Sequence, residues 1–320
     1  MNALRVENLK TYYYTYKGIV KAVDKVTITL EKGESLGIAG ESGCGKSTLA
    51  YSLLKLVPPP GRIVDGRIVI EDFDITKMNE EEVRKKVRWK KISMIFQGAM
   101  NALNPVYTVG YQLAEPLIYH KGMTRKEAIE IAKEYLKLVG LHPDLVNRYP
   151  HELSGGMKQR VVIAMALLLN PSIVIADEPT TALDVVVQAQ VLNVIKNLQK
   201  RLGISVILIT HDLSIISELA DKVAIMYAGK IVEIGPLDRV YTNPLHPYTQ
   251  GLLKSIPRLR GGPEKLEWIP GTPPDLISPP PGCRFHPRCK YAMDICRREE
   301  PEMIEIEPKH HVACWLYLKK

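Results

Sequence analysis

An α/β fold with a mainly parallel sheet is the class this sequence predicts, and three observations predict it. The first is Gly40-Glu41-Ser42-Gly43-Cys44-Gly45-Lys46-Ser47, a complete G-x-x-x-x-G-K-S phosphate-binding loop. The second is its setting. The apolar run Ser35 to Ala39 leads in and the helical stretch Thr48 to Val57 leads out, giving the strand-loop-helix that the motif requires. The third is a pair of continuous apolar runs, Ser172 to Ala176 and Ser205 to Ile209, of the kind buried on both faces in a parallel sheet.

In chain order, Val6 to Tyr16 starts as a strand and carries the aromatics Tyr12, Tyr13, Tyr14 and Tyr16. Val26 to Leu30 alternates like an antiparallel strand and turns at Glu31-Lys32-Gly33-Glu34 into the strand before the loop. Pro58-Pro59-Pro60-Gly61 stops the first helix, and Arg67 to Ile70 resumes as strand. A charged helix, Asn79 to Lys91, precedes the strand Ile92 to Phe96, which ends at Gln97. From Gly98 to Pro150 the pattern is helical, with Val109 to Tyr119 and Arg125 to Val139 the clearest segments, and reads as an inserted subdomain. Ser154 caps an apolar helix, Val161 to Leu169, and Asp184 caps Val185 to Leu202, which Gly203 ends. Asp221 to Glu233 forms a hairpin turning at Gly229-Lys230, followed by helices near Leu237 to Thr242 and Tyr248 to Ile256. Beyond Arg260, Gly-Pro and Pro-Pro clusters leave little regular structure, so a second unit begins around Pro257.

The composition excludes several classes. A chain of 320 residues exceeds one ordinary hydrophobic core, so a main domain plus a smaller one is expected. With 46% hydrophobic and 24% charged residues it is not a disordered chain. The net charge of +8 is dispersed among acids rather than gathered into a nucleic-acid footprint, and suits a solvated surface beside an anionic inner leaflet. Met1 to Lys10 has no apolar h-region, and the longest apolar stretch, Val161 to Ala176, is broken at Asn170-Pro171, so a cytosolic location is expected.

The chemistry gathers at strand ends. Glycines at 40, 43 and 45 let backbone N–H groups point inward at phosphate oxygens, and the positive end of the following helix adds to the field. Lys46 would reach the β- and γ-phosphates of a nucleoside triphosphate, and the Ser47 hydroxyl would ligate Mg2+. Asp177-Glu178 ends one buried strand and His211 another, on the sheet edge where such folds bind ligand. Ser154-Gly155-Gly156 exposes the first N–H groups of its helix, and an aromatic upstream of the loop can stack on a purine base or simply fill a strand face.

These motifs, in this order, resemble the ATP-binding cassette ATPases. Ile95-Phe96-Gln97, Ala102-Leu103-Asn104-Pro105, His246-Pro247-Tyr248-Thr249 and the C-terminal cysteines resemble the oligopeptide/dipeptide importer subgroup, over nearly the whole chain. The resemblance implies an α/β P-loop cassette at 1–256 with an antiparallel β subdomain and a helical subdomain at about 98–165. A small irregular cysteine-rich extension would follow at 257–320. It implies that ATP is held by Tyr13, by Gly40, Ser42, Gly43, Cys44, Gly45, Lys46, Ser47 and Thr48, and by Asp184, and that Ser154, Gly155 and Gly156 bind the ATP held by the opposite subunit. Tyr13 is the adenine-stacking residue, with Tyr14 and Tyr16 as neighbours able to replace it. Mg2+ falls to Ser47, Gln97 and Asp177; Glu178 is the general base, and His211 contacts the γ-phosphate. Gly98, where the subgroup often has aspartate, and Thr181, where serine is common, depart from the pattern and bear on coupling rather than on phosphate chemistry.

Cys283, Cys289, Cys296 and Cys314 supply four soft ligands in a Pro-rich segment, with iron–sulfur, zinc and disulfides all open on spacing. Similar tails in the peptide-importer family hold a four-iron, four-sulfur cluster, which favours that reading. His286, His310 and His311 could replace a ligand but read more readily as solvated, and Cys44 reads as a small loop residue whose helix N-terminus could lower its pKa. The resemblance further implies a second, related cassette closing head to tail around two nucleotides, two transmembrane permease subunits, and an external solute-binding protein. No nucleic acid is implied, and the chain would sit on the cytoplasmic face of the membrane. The rival readings are a soluble cassette acting on nucleic acid or ribosomes, or an importer of oligosaccharides or nickel.

Overall fold

The computed structural model describes residues 1–98, 101–181, 183–255 and 268–318. Two long strands, β1 (Asn2–Thr15) and β2 (Gly18–Glu31), extend past the expected runs because buried and exposed side chains keep alternating beyond their apolar centres. β3 (Ser35–Ala39), buried at every position, feeds the phosphate loop into α1 (Lys46–Leu53). That helix starts at the lysine and stops before the prolines, because Lys55 takes a φ of 53°. β4 (Gly61–Ile70) and β5 (Phe73–Asp74) form a hairpin. α2 (Glu80–Lys86) is shorter than expected: Asn79 and Glu82 close a capping box at its start, and the chain leaves the helix at Val87.

β6 (Ile92–Ile95) follows, then α3 (Val109–Lys121), capped by Thr108 and ended by Gly122, and α4 (Arg125–Leu138), whose Thr124 and Glu127 form a second capping box. α5 (Gly155–Leu167), β7 (Ile173–Asp177), α6 (Val185–Leu202) and β8 (Ser205–Ile209) lie close to the expected spans. α7 (Leu213–Leu219), capped by Asp212, has no counterpart among the expected elements. β9 (Lys222–Tyr227), β10 (Lys230–Pro236), α8 (Leu237–Thr242) and α9 (Pro247–Lys254) complete the cassette. Ile256, the expected end of α9, and the expected domain boundary at 256/257 lie outside the described residues. The C-terminal segment is more regular than its prolines suggest, with α10 (Asp294–Arg298), β11 (Ile304–Glu307) and β12 (His310–Val312).

Packing divides the chain into two compact units. The first comprises Met1–Leu4, Leu30–Glu34 and Val69–Leu208. In it β6 and β7 run parallel, Ile92 opposite Ile173 and Ile95 opposite Ala176, and the Ser205 N–H donates to the Ser172 carbonyl to set β8 beside β7. The α3 stripe Val109, Leu113, Leu117 and the α4 stripe Ala128, Ala132, Leu136 are fully buried.

The second unit comprises Arg5–Thr29, Ser35–Ile68 and Ile209–Lys320. Here β3 pairs parallel with β9, β9 antiparallel with β10, and β10 antiparallel with β12, where Glu233 faces Val312. The C-terminal strand is thus added to the sheet that carries the phosphate loop. A buried carboxylate joins these parts: Glu233 accepts from the Leu245 and His246 N–H groups at 2.9 and 2.8 Å and lies 2.8 Å from His310 Nε2. His310, expected to be solvated or a ligand, is fully buried in this pair instead. Among the described residues no helix is long and apolar enough to cross a membrane.

Candidate active site

In the second unit the phosphate loop folds as its glycines require. Gly40, Gly43 and Gly45 take φ of 154°, 78° and 108°. A Cβ at Gly40 would lie 2.1 Å from the Met226 carbonyl oxygen and one at Gly45 2.0 Å from that of Ala22, so the backbone passes where no side chain fits. At Gly43 a Cβ would meet nothing within 4 Å, and Ser42 and Gly43 are exposed, so the crest of the loop is open. Lys46 is buried, its ammonium donating to the Gly40 carbonyl at 2.7 Å and the Glu41 carbonyl at 3.0 Å. Ser47 and Thr48 follow in the first turn of α1. The open crest, bent amides and poised lysine fit a triphosphate. Cys44 packs inward, and burial pushes its thiol up rather than down, against the expectation from the helix N-terminus.

Tyr13 rests beside this loop. Its hydroxyl lies 3.3 Å from Thr48 Oγ1, and its ring fills the space a side chain at Gly61 would need. Tyr14 lies under the Arg62 guanidinium, 4.1 Å from its ring, and Tyr16 is 95% exposed. His211 is exposed at the turn between β8 and α7.

In the first unit the structure brings Gln97 and Glu178 together: Gln97 Nε2 donates to Glu178 Oε2 at 2.9 Å. The Thr181 hydroxyl donates to the same oxygen at 3.0 Å, so this departure from the subgroup pattern touches the candidate base directly. Glu178 also holds a φ of 46°, a left-handed conformation uncommon for a residue with a Cβ. Asp177 beside it is buried at the end of β7. Two donors and a constrained backbone fix one carboxylate in orientation, as a base acting on a single water must be.

The same unit joins the other predicted group. Ser154 caps α5, accepting from the Met157 N–H at 3.4 Å, and Asp184 caps α6, accepting from the Val187 N–H at 2.9 Å. Gly156 sits so close to Val187 that a Cβ would fall 2.6 Å from its Cγ1, which brings the two helix starts together.

All five cysteines are free thiols. Cys283 and Cys314 are pushed up to about 11 and about 12 by burial and then by the other thiols of the set, and Cys289 is raised by burial and by Cys296. These thiols lie within electrostatic reach of one another and of Cys296. Among the described residues no group of three or more His, Cys, Asp or Glu is arranged to hold a metal ion, so the expected site at Cys283, Cys289, Cys296 and Cys314 does not stand out as a ligand set.

The same division into loop cassette and C-terminal segment appears in known proteins. The model of the ABC transporter family matches residues 23–181, and that of the oligopeptide/dipeptide transporter C-terminal region matches 232–296. The dipeptide transport ATP-binding protein DppD of Bacillus subtilis (strain 168) is 50% identical over 317 residues, 98% of this chain and 94% of that protein. The chain belongs to the ABC transporter family. The oligopeptide transport ATP-binding protein OppD of the same organism is also 50% identical, over 98% of this chain and 88% of its own. Among solved structures, the dimeric MJ0796, a bacterial ABC transporter cassette, matches with a TM-score of 0.65 at 30% identity, covering 73% of this chain and 98% of that one. As an ABC transporter cassette the chain is an ATPase whose hydrolysis is coupled to transport.

Residue patterns do not reveal three contacts at the site. Thr181 reads in the sequence only as a departure, while Glu41, at a variable position of the loop motif, is gripped by Tyr248 and Arg288. The His-Pro-Tyr segment is the one available signal for the last pair.

Proposed function

We propose that this ATPase powers import of di- and oligopeptides. The observation that carries the reading is half-identity, along nearly the entire chain, to dipeptide and oligopeptide transport ATP-binding proteins, together with the match of the C-terminal region at 232–296. The protein works at the cytoplasmic face of the membrane with a second cassette, two permease subunits and an external solute-binding protein.

Tyr13 receives the adenine, and Gly40 and Ser42 to Thr48 receive the phosphates, with Lys46 on the β- and γ-groups. Ser47, Asp177 and Gln97 are the groups that would hold Mg2+, which when bound neutralises phosphate charge. Glu178, held by Gln97 and Thr181, takes the proton of the attacking water, and His211 contacts the γ-phosphate. Asp184 also binds ATP, and Ser154, Gly155 and Gly156 act on the nucleotide of the partner cassette. Cys283, Cys289, Cys296 and Cys314 hold a four-iron, four-sulfur cluster, a reading supported by four cysteines of one C-terminal segment that are free of disulfides.

The test is ATPase activity of the complex purified from membranes and reconstituted with its binding protein. Stimulation by di- or oligopeptides supports the proposal; stimulation only by oligosaccharides or nickel would overturn the cargo.

A further inference from the structure

We infer that Tyr248 and Arg288 form a clamp that holds the phosphate loop from behind, so that the C-terminal segment sets the loop's affinity for nucleotide. All residues of the clamp belong to the second unit. Its object is Glu41, the second residue of the loop. The Glu41 N–H donates to the Tyr248 hydroxyl at 2.9 Å, and so is spent on protein rather than on an anion. Its carboxylate takes two hydrogen bonds from Arg288, Nη1 to Oε2 at 2.6 Å and Nη2 to Oε1 at 2.9 Å, the two-pronged geometry of a strong charge-assisted pair. Its carbonyl accepts from the Lys46 ammonium at 3.0 Å. Every polar group of Glu41 is therefore fixed, and one of them touches the lysine that meets phosphate.

Both clamp residues are anchored. Tyr248 is fully buried and packs against Tyr227, with ring centroids 4.6 Å apart, while Phe285 of the C-terminal segment sits edge-on to Tyr227 at 5.1 Å. The Arg288 side chain is 5% exposed, and its Nε donates to the Pro270 carbonyl at 2.8 Å. His246 starts α9 by accepting the Tyr248 N–H at 3.0 Å, which sets the tyrosine's direction. The His-Pro-Tyr element thereby presents a hydroxyl to the loop. Cys289 follows Arg288 directly, so the segment that carries the four thiols also carries the grip on the loop.

The inference rests on the nucleotide-binding reading, and the experiment separates the two. ATP affinity and steady-state ATPase kinetics are measured on the full chain for wild type, Arg288→Ala, Arg288→Lys, Glu41→Gln and the Glu41→Gln/Arg288→Ala pair, each with its unfolding midpoint. A loosened loop loses ATP in the ground state, so Arg288→Ala is expected to raise Kd and KM about tenfold with kcat within about twofold, and Arg288→Lys to recover part of the loss. The double variant should be no weaker than the worse single one, the mark of two groups acting through one contact. Glu41→Gln leaves the other Arg288 partners in place and reads the same loss should Arg288→Ala fold poorly. Unchanged Kd in folded Arg288→Ala and Glu41→Gln, or losses that simply multiply in the double variant, would overturn the clamp alone. Wild-type protein that takes no ATP would overturn the nucleotide reading itself.

Discussion

At the scale of single residues, the site depends on backbone that only some residues can adopt. Gly45 combines a φ of 108° with a carbonyl 2.0 Å from where a Cβ would sit, whereas Gly33 has a φ of 78° with open space around it. Gly45→Ala should therefore cost about 2–4 kcal/mol and abolish ATP binding, while Gly33→Ala should cost only about 1 kcal/mol, the conformational part alone. Denaturant titrations of the two variants check the difference, and equal losses would contradict it. The glycines were legible in the sequence because the motif spells out the turn. The left-handed Glu178 was not, since its geometry is imposed by the fold around it rather than by its own preference. Thr181 was legible as a residue but not as a partner: a hydroxyl shortly past the strand end reveals its bond only once the turn is built.

At the scale of elements, helix starts carry much of the function. α9 begins at His246, whose ring nitrogen accepts the Tyr248 N–H, and complete burial holds this imidazole's pKa down to about 4 from 6.5. The folded pKa is depressed for a base, so the unfolded chain binds the proton first. Stability is full above about pH 6.5 and falls as pH drops toward about 4, by about 3 kcal/mol in all. His246→Asn keeps a cap but removes the titration, so the difference in unfolding free energy between pH 7 and pH 4.5 should shrink by about 2–3 kcal/mol. An unchanged difference would show that another group carries it. The buried strands and two of the capped helices were legible because apolar runs and Ser and Asp caps are local signals, as Ser154 and Asp184 show. α7 and the strands β11 and β12 were not. α7 has only seven residues, and β12 is a strand because β10 lies beside it rather than because of its own pattern.

At the scale of the whole molecule, one chain carries a phosphate loop in one compact unit and a fixed carboxylate in the other, while its C-terminal segment extends the loop's own sheet. The thiol set makes a second claim. Protein purified without oxygen should be brown and contain iron, and each of Cys283→Ser, Cys289→Ser, Cys296→Ser and Cys314→Ser should lower the iron content. Colourless protein with stoichiometric zinc would replace the cluster with a zinc site. Membership of the ABC family was legible from motif order. The grip of the C-terminal segment on Glu41 was not, because it joins residues 247 positions apart through contacts that no local pattern encodes. The central claim is that this cassette binds ATP through its loop and hydrolyses it through Glu178. Its most direct test is Glu178→Gln, measured for ATP binding, for single-turnover hydrolysis and for association of cassettes in the presence of MgATP. The account predicts retained binding, hydrolysis lowered by at least about a hundredfold, and a trapped ATP-bound dimer; wild-type turnover in this variant would contradict it.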